Sequence, residues 1–302
     1  MKRIWIICLL AVFCLALPVD AAAQELETDR VCSLKLDYSQ DGVAFPGLQI
    51  AVYRVAEAFQ DGTFALIAPY DTFPVNIHGI TSQSEWRAVA TTLVSYVTAE
   101  QIAPTATAIT DEQGMALLES LPTGLYLVRG AVAQNETGTY LFNDFMIYLP
   151  TPAADGSLLY ELEAKPKCVN FKPAAQYRVV KLWKDLGLEE GRPVSVTVDI
   201  YQNGQLHTTV ELNEDNQWSY SWSDHNGAQW HVVERNVPEG YQVSITEHET
   251  VFTITNTNPT PPPPPPSTGE LFQILPLAMG LCLSGLALVL LWLRGNRHEK
   301  KA

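Results

Sequence analysis

Short runs of β-branched and aromatic residues, separated by Gly, Asn and Asp turns, recur through the middle of this chain, within residues 24–258. Such runs are typical of strands, and many short strands between turns are typical of β-sandwiches. We therefore predict an all-β body. The clearest strand candidates are Gly47–Val55, Gly124–Val132, Leu141–Leu149, Leu158–Ala164, Tyr177–Leu182, Val194–Tyr201, Trp218–Trp222, Trp230–Glu234 and Val251–Asn256.

One segment of this body, Ser84–Thr98, has a helical period instead of a strand period. Its large apolar residues recur at intervals of three or four positions, namely Trp86, Val89, Leu93 and Tyr96. This spacing places them on one face of a helix. We predict one amphipathic helix inserted in the first half of the body, capped by Ser82 or Ser84.

The N-terminus has the layout of a secretory signal peptide within residues 1–23. A basic pair, Lys2-Arg3, precedes an apolar run over 4–17, and the small residues 21–23 stand before Gln24. This order predicts export and cleavage after Ala23. The alternative is an uncleaved N-terminal anchor, although the apolar run is short for a membrane span.

The C-terminus has the layout of a membrane span. Residues 271–293 carry no charge, and as a helix they would extend about 34 Å, which is enough to cross a bilayer. Four basic residues lie between Arg294 and Lys301, which predicts a cytoplasmic tail and an external body. The proline-rich residues 259–266 just before the span predict a stiff, extended stalk.

The charge balance and the motif content exclude several classes of protein. The formal net charge of −14, from 33 Asp+Glu and 19 Lys+Arg, argues against a nucleic-acid binder, which needs clustered basic residues. The six histidines lack the paired spacing of a zinc site, and the chain has no phosphate loop, dinucleotide fingerprint or nucleophile elbow. We therefore expect a non-enzymatic protein with no metal and no cofactor.

The segment between stalk and span reads Pro265-Pro266-Ser267-Thr268-Gly269. Together with the span and the basic tail, residues 265–302 resemble the LPxTG cell-wall sorting signal of Gram-positive surface proteins, with Pro265 in place of Leu. The resemblance implies that a sortase cuts between Thr268 and Gly269 and joins Thr268 to peptidoglycan or to another surface subunit. The alternative is a single-pass surface receptor that stays in the membrane through residues 271–293.

The second half of the body, residues 177–258, resembles the collagen-adhesin B-type (Cna B-type) domains of bacterial surface proteins and pili. Five blocks occur in the family order: Val180–Asp185, Arg192–Val198, Leu212-Asn213 with Trp218–Tyr220, Val233–Tyr241 and Phe252–Thr257. The resemblance implies an immunoglobulin-like β-sandwich. It also implies an isopeptide bond between Lys181 and Asn256, assisted by the buried acid Glu234. The alternative for these residues is an ordinary Lys181–Glu234 ion pair beside a hydrogen-bonded Asn256.

The first half, residues 24–172, resembles a pilin-type relative of the same fold with weaker motifs. The matching blocks are Gly47–Val55, Thr110–Gly114, Leu121–Val128 and Tyr148–Pro150. Arg129-Gly130 stands where the family has its acid, and Cys168 stands where it has the bond-forming Asn, so no isopeptide bond is expected here. Cys32 is the other cysteine of the exported body, which predicts a Cys32–Cys168 disulfide in an oxidising compartment; the alternative is two separate thiols.

Lys167 matches the lysine that pilus sortases use as an acceptor in shaft pilins, so a polymerising shaft pilin is one alternative function. The main interpretation is an exported, cell-wall-anchored structural or adhesive protein made of two tandem β-sandwiches, with a minor or basal pilus subunit as one form of it. The expected partners are a sortase, peptidoglycan or other pilus subunits, and an unidentified host or bacterial surface ligand.

Overall fold

The computed structural model describes residues 25–136, 138–170, 175–185, 188–225 and 227–259. The predicted signal peptide, most of the proline stalk, the span over 271–293, and both Thr268 and Gly269 lie outside the described residues. Within the described ranges, no helix combines the length and the hydropathy needed to cross a membrane. The described residues up to Asn258 form one compact unit.

Between residues 25 and 259, where the structure describes the chain, the prediction of an all-β fold with a single inserted α-helix is confirmed. Within the described residues, strands before and after 171–174 never share a sheet, so we refer to a first and a second module. The strands of the first module are β1 (Cys32–Asp37), β2 (Ser39–Gln40), β3 (Val43–Ala44), β4 (Gln49–Ala58), β5 (Phe64–Leu66), β6 (Ala106–Ile109), β7 (Met115–Leu121), β8 (Gly124–Val128), β9 (Ala131–Asn135), β10 (Gly138–Phe142), β11 (Phe145–Leu149), β12 (Thr151–Pro152), β13 (Leu158–Leu159), β14 (Glu161–Ala164) and β15 (Cys168–Asn170).

The first module has a sheet ordered β14-β1-β7 and a sheet ordered β11-β8-β4-β5, with β6 also paired to β4. Every residue of β8 is buried, because both faces of its sheet are covered. Tyr126 and Val128 face the core that contains β1, whereas Leu125 and Leu127 face the helix. This two-sided burial explains why β8 is a continuous apolar run instead of an alternating one.

Two predicted strands of the first module are each divided in two. Residues 141–149 form the end of β10 and all of β11, because the chain turns at Asp144, whose Oδ1 accepts a hydrogen bond from the Gly130 N–H over 2.6 Å. Residues 124–132 divide at Gly130, where an added Cβ would lie 2.2 Å from the Phe142 carbonyl oxygen. The close approach of two backbones therefore requires glycine at this position.

The helix α1 spans Gln83–Ala99. Its N-cap is Ser82, one of the two predicted caps. Ser82 and Glu85 form a reciprocal capping box, which pairs N–H groups that the first helical turn leaves without partners. Every residue from Ala88 to Thr98 is buried. A helix with only one apolar face would be half exposed, so α1 is covered on both sides.

The second module is a β-sandwich. One sheet is ordered β19-β16-β22-β21 and the other β18-β17-β20, and aliphatic and aromatic side chains fill the space between them. Its strands are β16 (Ala175–Lys184), β17 (Ser195–Gln202), β18 (Gln205–Asn213), β19 (Ser219–Asp224), β20 (Trp230–Arg235), β21 (Gln242–His248) and β22 (Val251–Thr257). Single turns of 3-10 helix occur at Tyr70–Thr72 and Glu189–Gly191.

Helix α1 joins the two modules. One side of α1 packs on the β8 sheet of the first module, and the other packs on β20 and β21 of the second. These two strands are the edges of their sheets, so α1 lies along one open side of the sandwich. The edge strand β21 donates hydrogen bonds to the first module, from Val243 N to the Pro74 carbonyl over 2.7 Å and from Ile245 N to Thr92 Oγ1 over 2.8 Å.

Candidate isopeptide site

Strand periodicity places two polar side chains at core positions of the second module. On β16, Lys181 follows the inward-facing Tyr177 and Val179 at intervals of two residues. On the parallel neighbour β22, Asn256 follows the inward-facing Phe252 and Ile254 in the same way. Successive side chains of a strand point to opposite faces, so both polar groups point between the sheets.

The third polar side chain comes from the opposite sheet. Glu234 lies on β20, and the side chains of Lys181 and Glu234 are both 0% exposed. Lys181 Nζ lies 3.6 Å from Glu234 Oε2, and Asn256 Nδ2 donates to Glu234 Oε1 over 2.8 Å. The structure therefore brings all three predicted residues together, with the carboxyl group of Glu234 in contact with the other two.

Burial shifts both ionisable groups of this site toward their neutral forms. Burial lowers the pKa of Lys181 to about 8, against the opposing attraction of Glu234. Burial also raises the pKa of Glu234, and the nearby Lys181 and the hydrogen bond from Asn256 oppose that shift. Both pKa shifts favour a protonated Glu234 and an unprotonated Lys181, because a low-dielectric site disfavours charged groups.

The carboxamide of Asn256 has an unused acceptor. Its Oδ1, like Glu234 Oε2, is buried without a hydrogen-bond partner among the described residues. A half turn about the terminal torsion exchanges Oδ1 and Nδ2, so protonated Glu234 can donate to the carbonyl oxygen and polarise the carbon. The arrangement thus supplies a nucleophile, an electrophile and an acid within one dry site.

Aromatic and polar residues around Lys181 complete the site, and sequence reasoning assigned them no role. The Trp183 ring lies 4.0 Å from Lys181 Nζ and excludes water from it. The buried Asp185 accepts hydrogen bonds from Arg192 and from the Tyr241 hydroxyl, which hold the end of β16 against the loop before β21. These residues all occur in the sequence blocks that resemble the family, and this was the only indication in the sequence that they belong to the site.

The first module has no equivalent site in its described residues. Arg129, which stands where the resembled family has its acid, donates a hydrogen bond to Thr98 Oγ1 over 3.3 Å.

Lys167 is exposed, and its carbonyl accepts a hydrogen bond from Asn143 N. Its side chain is therefore accessible, as an acceptor lysine would need to be.

The structure does not bring Cys32 and Cys168 together, and both thiols are free. Cys32 is the first residue of β1. It lies beside Tyr160, which directly precedes the parallel strand β14. A disulfide would require Cys168 beside Cys32, but Cys168 lies on the separate strand β15, where it pairs with Phe142. The Phe142 ring contacts Tyr38, just beyond the other end of β1, so the two cysteines lie at opposite ends of this strand. That strand is roughly 16 Å long, whereas bridged cysteines have Cα atoms within about 7 Å.

Comparison with solved structures gives similarity to bacterial surface proteins at low identity. The B1 repeat unit of the collagen-binding surface protein of Staphylococcus aureus is 13% identical, with 75% of this chain and 96% of that chain covered and a TM-score of 0.27. The full-length major pilin SpaD of Corynebacterium diphtheriae is 13% identical, with 78% and 66% covered and a TM-score of 0.30. The minor pilin GBS52 of Streptococcus agalactiae is 15% identical, with 78% and 99% covered and a TM-score of 0.25.

No curated protein matched the chain. Residues 177–257, which carry Lys181, Glu234 and Asn256, match the family model of the Cna protein B-type domain.

Proposed function

We propose that this chain is an exported surface protein of the pilin or adhesin type, anchored to the cell wall through Thr268, whose second module is locked by an isopeptide bond between Lys181 and Asn256. The observation that carries the proposal is the fully buried Glu234 carboxyl group in contact with both bond-forming residues. The family match over 177–257 and the sequence layout of the two chain ends support it.

The proposed reaction is a single intramolecular turnover. The neutral amine of Lys181 attacks Cγ of Asn256 while protonated Glu234 donates to the carbonyl oxygen. The Nζ–Cγ bond forms and the Cγ–Nδ2 bond breaks. Glu234 moves one amine proton to the leaving nitrogen, which departs as ammonia, and the acid ends in its starting protonation state.

The consequence of the bond is mechanical. Lys181 and Asn256 lie on adjacent parallel strands, which are the first and last strands of the module. Tension between the two ends of the module shears β16 against β22, and a covalent bond between them prevents their separation. The bond also closes a loop of about 75 residues, which by analogy with a disulfide contributes about 4 kcal/mol through the restricted unfolded chain.

Intact mass spectrometry of residues 24–268 tests the bond. We expect a mass lower than the sequence mass by one ammonia, and a peptide in which Lys181 is joined to Asn256. Lys181→Ala and Glu234→Ala each restore the full mass. Lys184→Ala is the matched control, because Lys184 lies on the same strand but is exposed. An unmodified mass for the wild-type chain contradicts the proposal.

The anchoring step has a separate test. Thr268→Ala removes the residue at which the sortase would form its acyl intermediate. We expect the variant to shift from the cell-wall fraction to the membrane fraction of a Gram-positive host that carries the sortase. An unchanged cell-wall fraction would overturn the anchoring role and leave the isopeptide proposal unaffected.

A second candidate function, polymerisation as a shaft pilin, rests on the exposure of Lys167. Here Lys167 would attack the sortase-bound Thr268 of another copy. Ladders that resist sodium dodecyl sulfate in the wild type and disappear in Lys167→Ala would support it. Ladders retained in Lys167→Ala, or absent from the wild type, would exclude it.

A further inference from the structure

Tyr96, on helix α1 of the first module, belongs to the hydrophobic core of the second module. Its ring stacks on Phe73, also from the first module, with centroids 4.7 Å apart and planes inclined by 19°. The pair lies where α1 covers the open side of the sandwich, between the edge strands β20 and β21.

A crevice of about 620 Å³ lies at this junction. It is lined by Phe73 and Tyr96 from the first module and by Glu234 and Val237 from the second, among others. The side chain of Glu234 is nevertheless fully buried, and the Tyr96 hydroxyl is buried without a hydrogen-bond partner among the described residues. Tyr96 and Glu234 therefore line the same crevice from opposite modules, and burial together with the nearby Glu234 charge raises the pKa of the Tyr96 hydroxyl.

We infer that Tyr96 is a positioning residue for the isopeptide reaction: its ring closes the site across the module boundary and keeps water from Glu234 and Lys181. The inference rests on the proposed bond. In this arrangement the first module influences the reaction in the second. Without the Tyr96 ring, the side of the sandwich next to Glu234 would be open to water.

The physical reason is desolvation. The neutral pair is favoured at the site because the charged forms of Lys181 and Glu234 lack water. If water in the crevice reached the carboxyl group of Glu234, it would stabilise the carboxylate and the ammonium, and fewer molecules would carry the reactive neutral pair. A combined change of one pKa unit lowers that population about tenfold.

The test follows ammonia loss during refolding. Residues 24–268 are produced unfolded and refolded over a range of about pH 6 to 9, which brackets the titration of Lys181, and intact mass is recorded with time. We expect Tyr96→Phe to react at the wild-type rate and Tyr96→Ala to react at least about tenfold more slowly near neutral pH. The alkaline limb of the Tyr96→Ala profile should also move to higher pH, because the pKa of a hydrated Lys181 rises toward its usual value.

Leu93→Ala is the matched control. Leu93 is fully buried on the same helix but packs against the first module. If α1 served only to keep the chain folded, Leu93→Ala would slow the reaction as much as Tyr96→Ala. We expect it to react within about twofold of wild type.

Three outcomes would overturn the inference: a wild-type rate in Tyr96→Ala, an equal slowing in Leu93→Ala, or a slow reaction with an unshifted alkaline limb. Tyr96→Leu, which keeps apolar bulk, covers the case in which Tyr96→Ala does not fold, and it should react at an intermediate rate. If the wild-type chain loses no ammonia at all, the proposed bond itself fails, which is distinct from a bond that forms regardless of Tyr96.

Discussion

The Ile245 N–H donates a hydrogen bond to Thr92 Oγ1 over 2.8 Å, and this bond joins the edge strand β21 of the second module to the helix of the first. The same hydroxyl donates to the Ala88 carbonyl within the helix over 2.6 Å. Both of its hydrogen-bonding roles are thus used at a buried position. The bond also covers a backbone group that an edge strand would otherwise expose.

We expect Thr92→Val to lower the free energy of unfolding by about 1 to 3 kcal/mol, because the buried Ile245 N–H loses its acceptor while the side-chain volume is kept. Denaturant unfolding measures the change. Ser95→Ala is the control, since the Ser95 hydroxyl donates only to Thr91 of the same helix in the described structure. An equal effect of the two substitutions would show that the contact between modules adds nothing.

The charged groups at the module boundary predict a pH dependence. His231 of β20 is buried, and its Nε2 lies 3.9 Å from Asp144 Oδ2 of the first module. Burial, with a smaller contribution from Arg129, lowers the pKa of His231 from 6.5 to about 3. The unfolded chain therefore binds a proton that the folded chain does not over this window, so His231 lowers stability as pH falls below 6.5.

We expect His231→Phe to lose less stability than wild type between about pH 6.5 and 4, as measured by denaturant midpoints. Burial raises the pKa of Asp144 to about 6, and a raised carboxyl pKa has the opposite sign, because it favours the folded state at acid pH. This contribution is present in both proteins and cancels in the comparison. Parallel pH curves for the two proteins would contradict the prediction.

Much of the second module follows from the sequence, because a sandwich strand encodes its buried face by alternation. Alternation along β16 and β22 agrees with the inward positions of Lys181 and Asn256, but the sequence singled these residues out only through the family resemblance. The role of Tyr96 does not follow from the sequence. It occupies the predicted apolar stripe of α1, which indicates burial but not which module covers it.

The burial of polar residues on the second face of α1 also lay beyond prediction. Thr92 and Ser95 suggest a solvated face, yet each hydroxyl donates to a carbonyl four residues earlier and is buried at little cost. The predicted disulfide also failed on strand pairing. The strand parallel to β1 is β14, which ends at Ala164, and Cys168 lies beyond it on β15. Local patterns do not specify such pairings between distant strands.

The separation of the cysteines predicts two free thiols, Cys32 and Cys168, in the described residues. Alkylation of residues 24–268 under denaturing conditions without a reductant should label both Cys32 and Cys168. In the folded protein, Cys168 should react faster, because Cys32 is 2% exposed and burial raises the pKa of its thiol to about 11. Failure to label either cysteine before reduction would establish the disulfide and require a rearranged first module.

The final prediction separates the isopeptide bond from the buried charge that remains when the bond is prevented. Glu234→Gln and Lys181→Met both lack the bond, but only Glu234→Gln retains a buried amine. The pKa of Lys181 is about 8 in the folded chain against 10.5 ordinarily, and loss of the Glu234 carboxylate lowers it further. Between those values the unfolded chain binds a proton that the folded chain does not, so stability rises with pH.

We therefore expect Glu234→Gln to become more stable from about pH 8 to 10, while Lys181→Met shows no such rise. Guanidinium unfolding over this range compares the two variants. The other lysines and tyrosines contribute alike to both, and the buried Glu234 that Lys181→Met retains can only lower stability as pH rises, because burial raises its pKa. Coincident curves would mean that the amine of Lys181 reaches solvent in the unbonded protein, and the dry site on which the proposed reaction depends would then be incorrect.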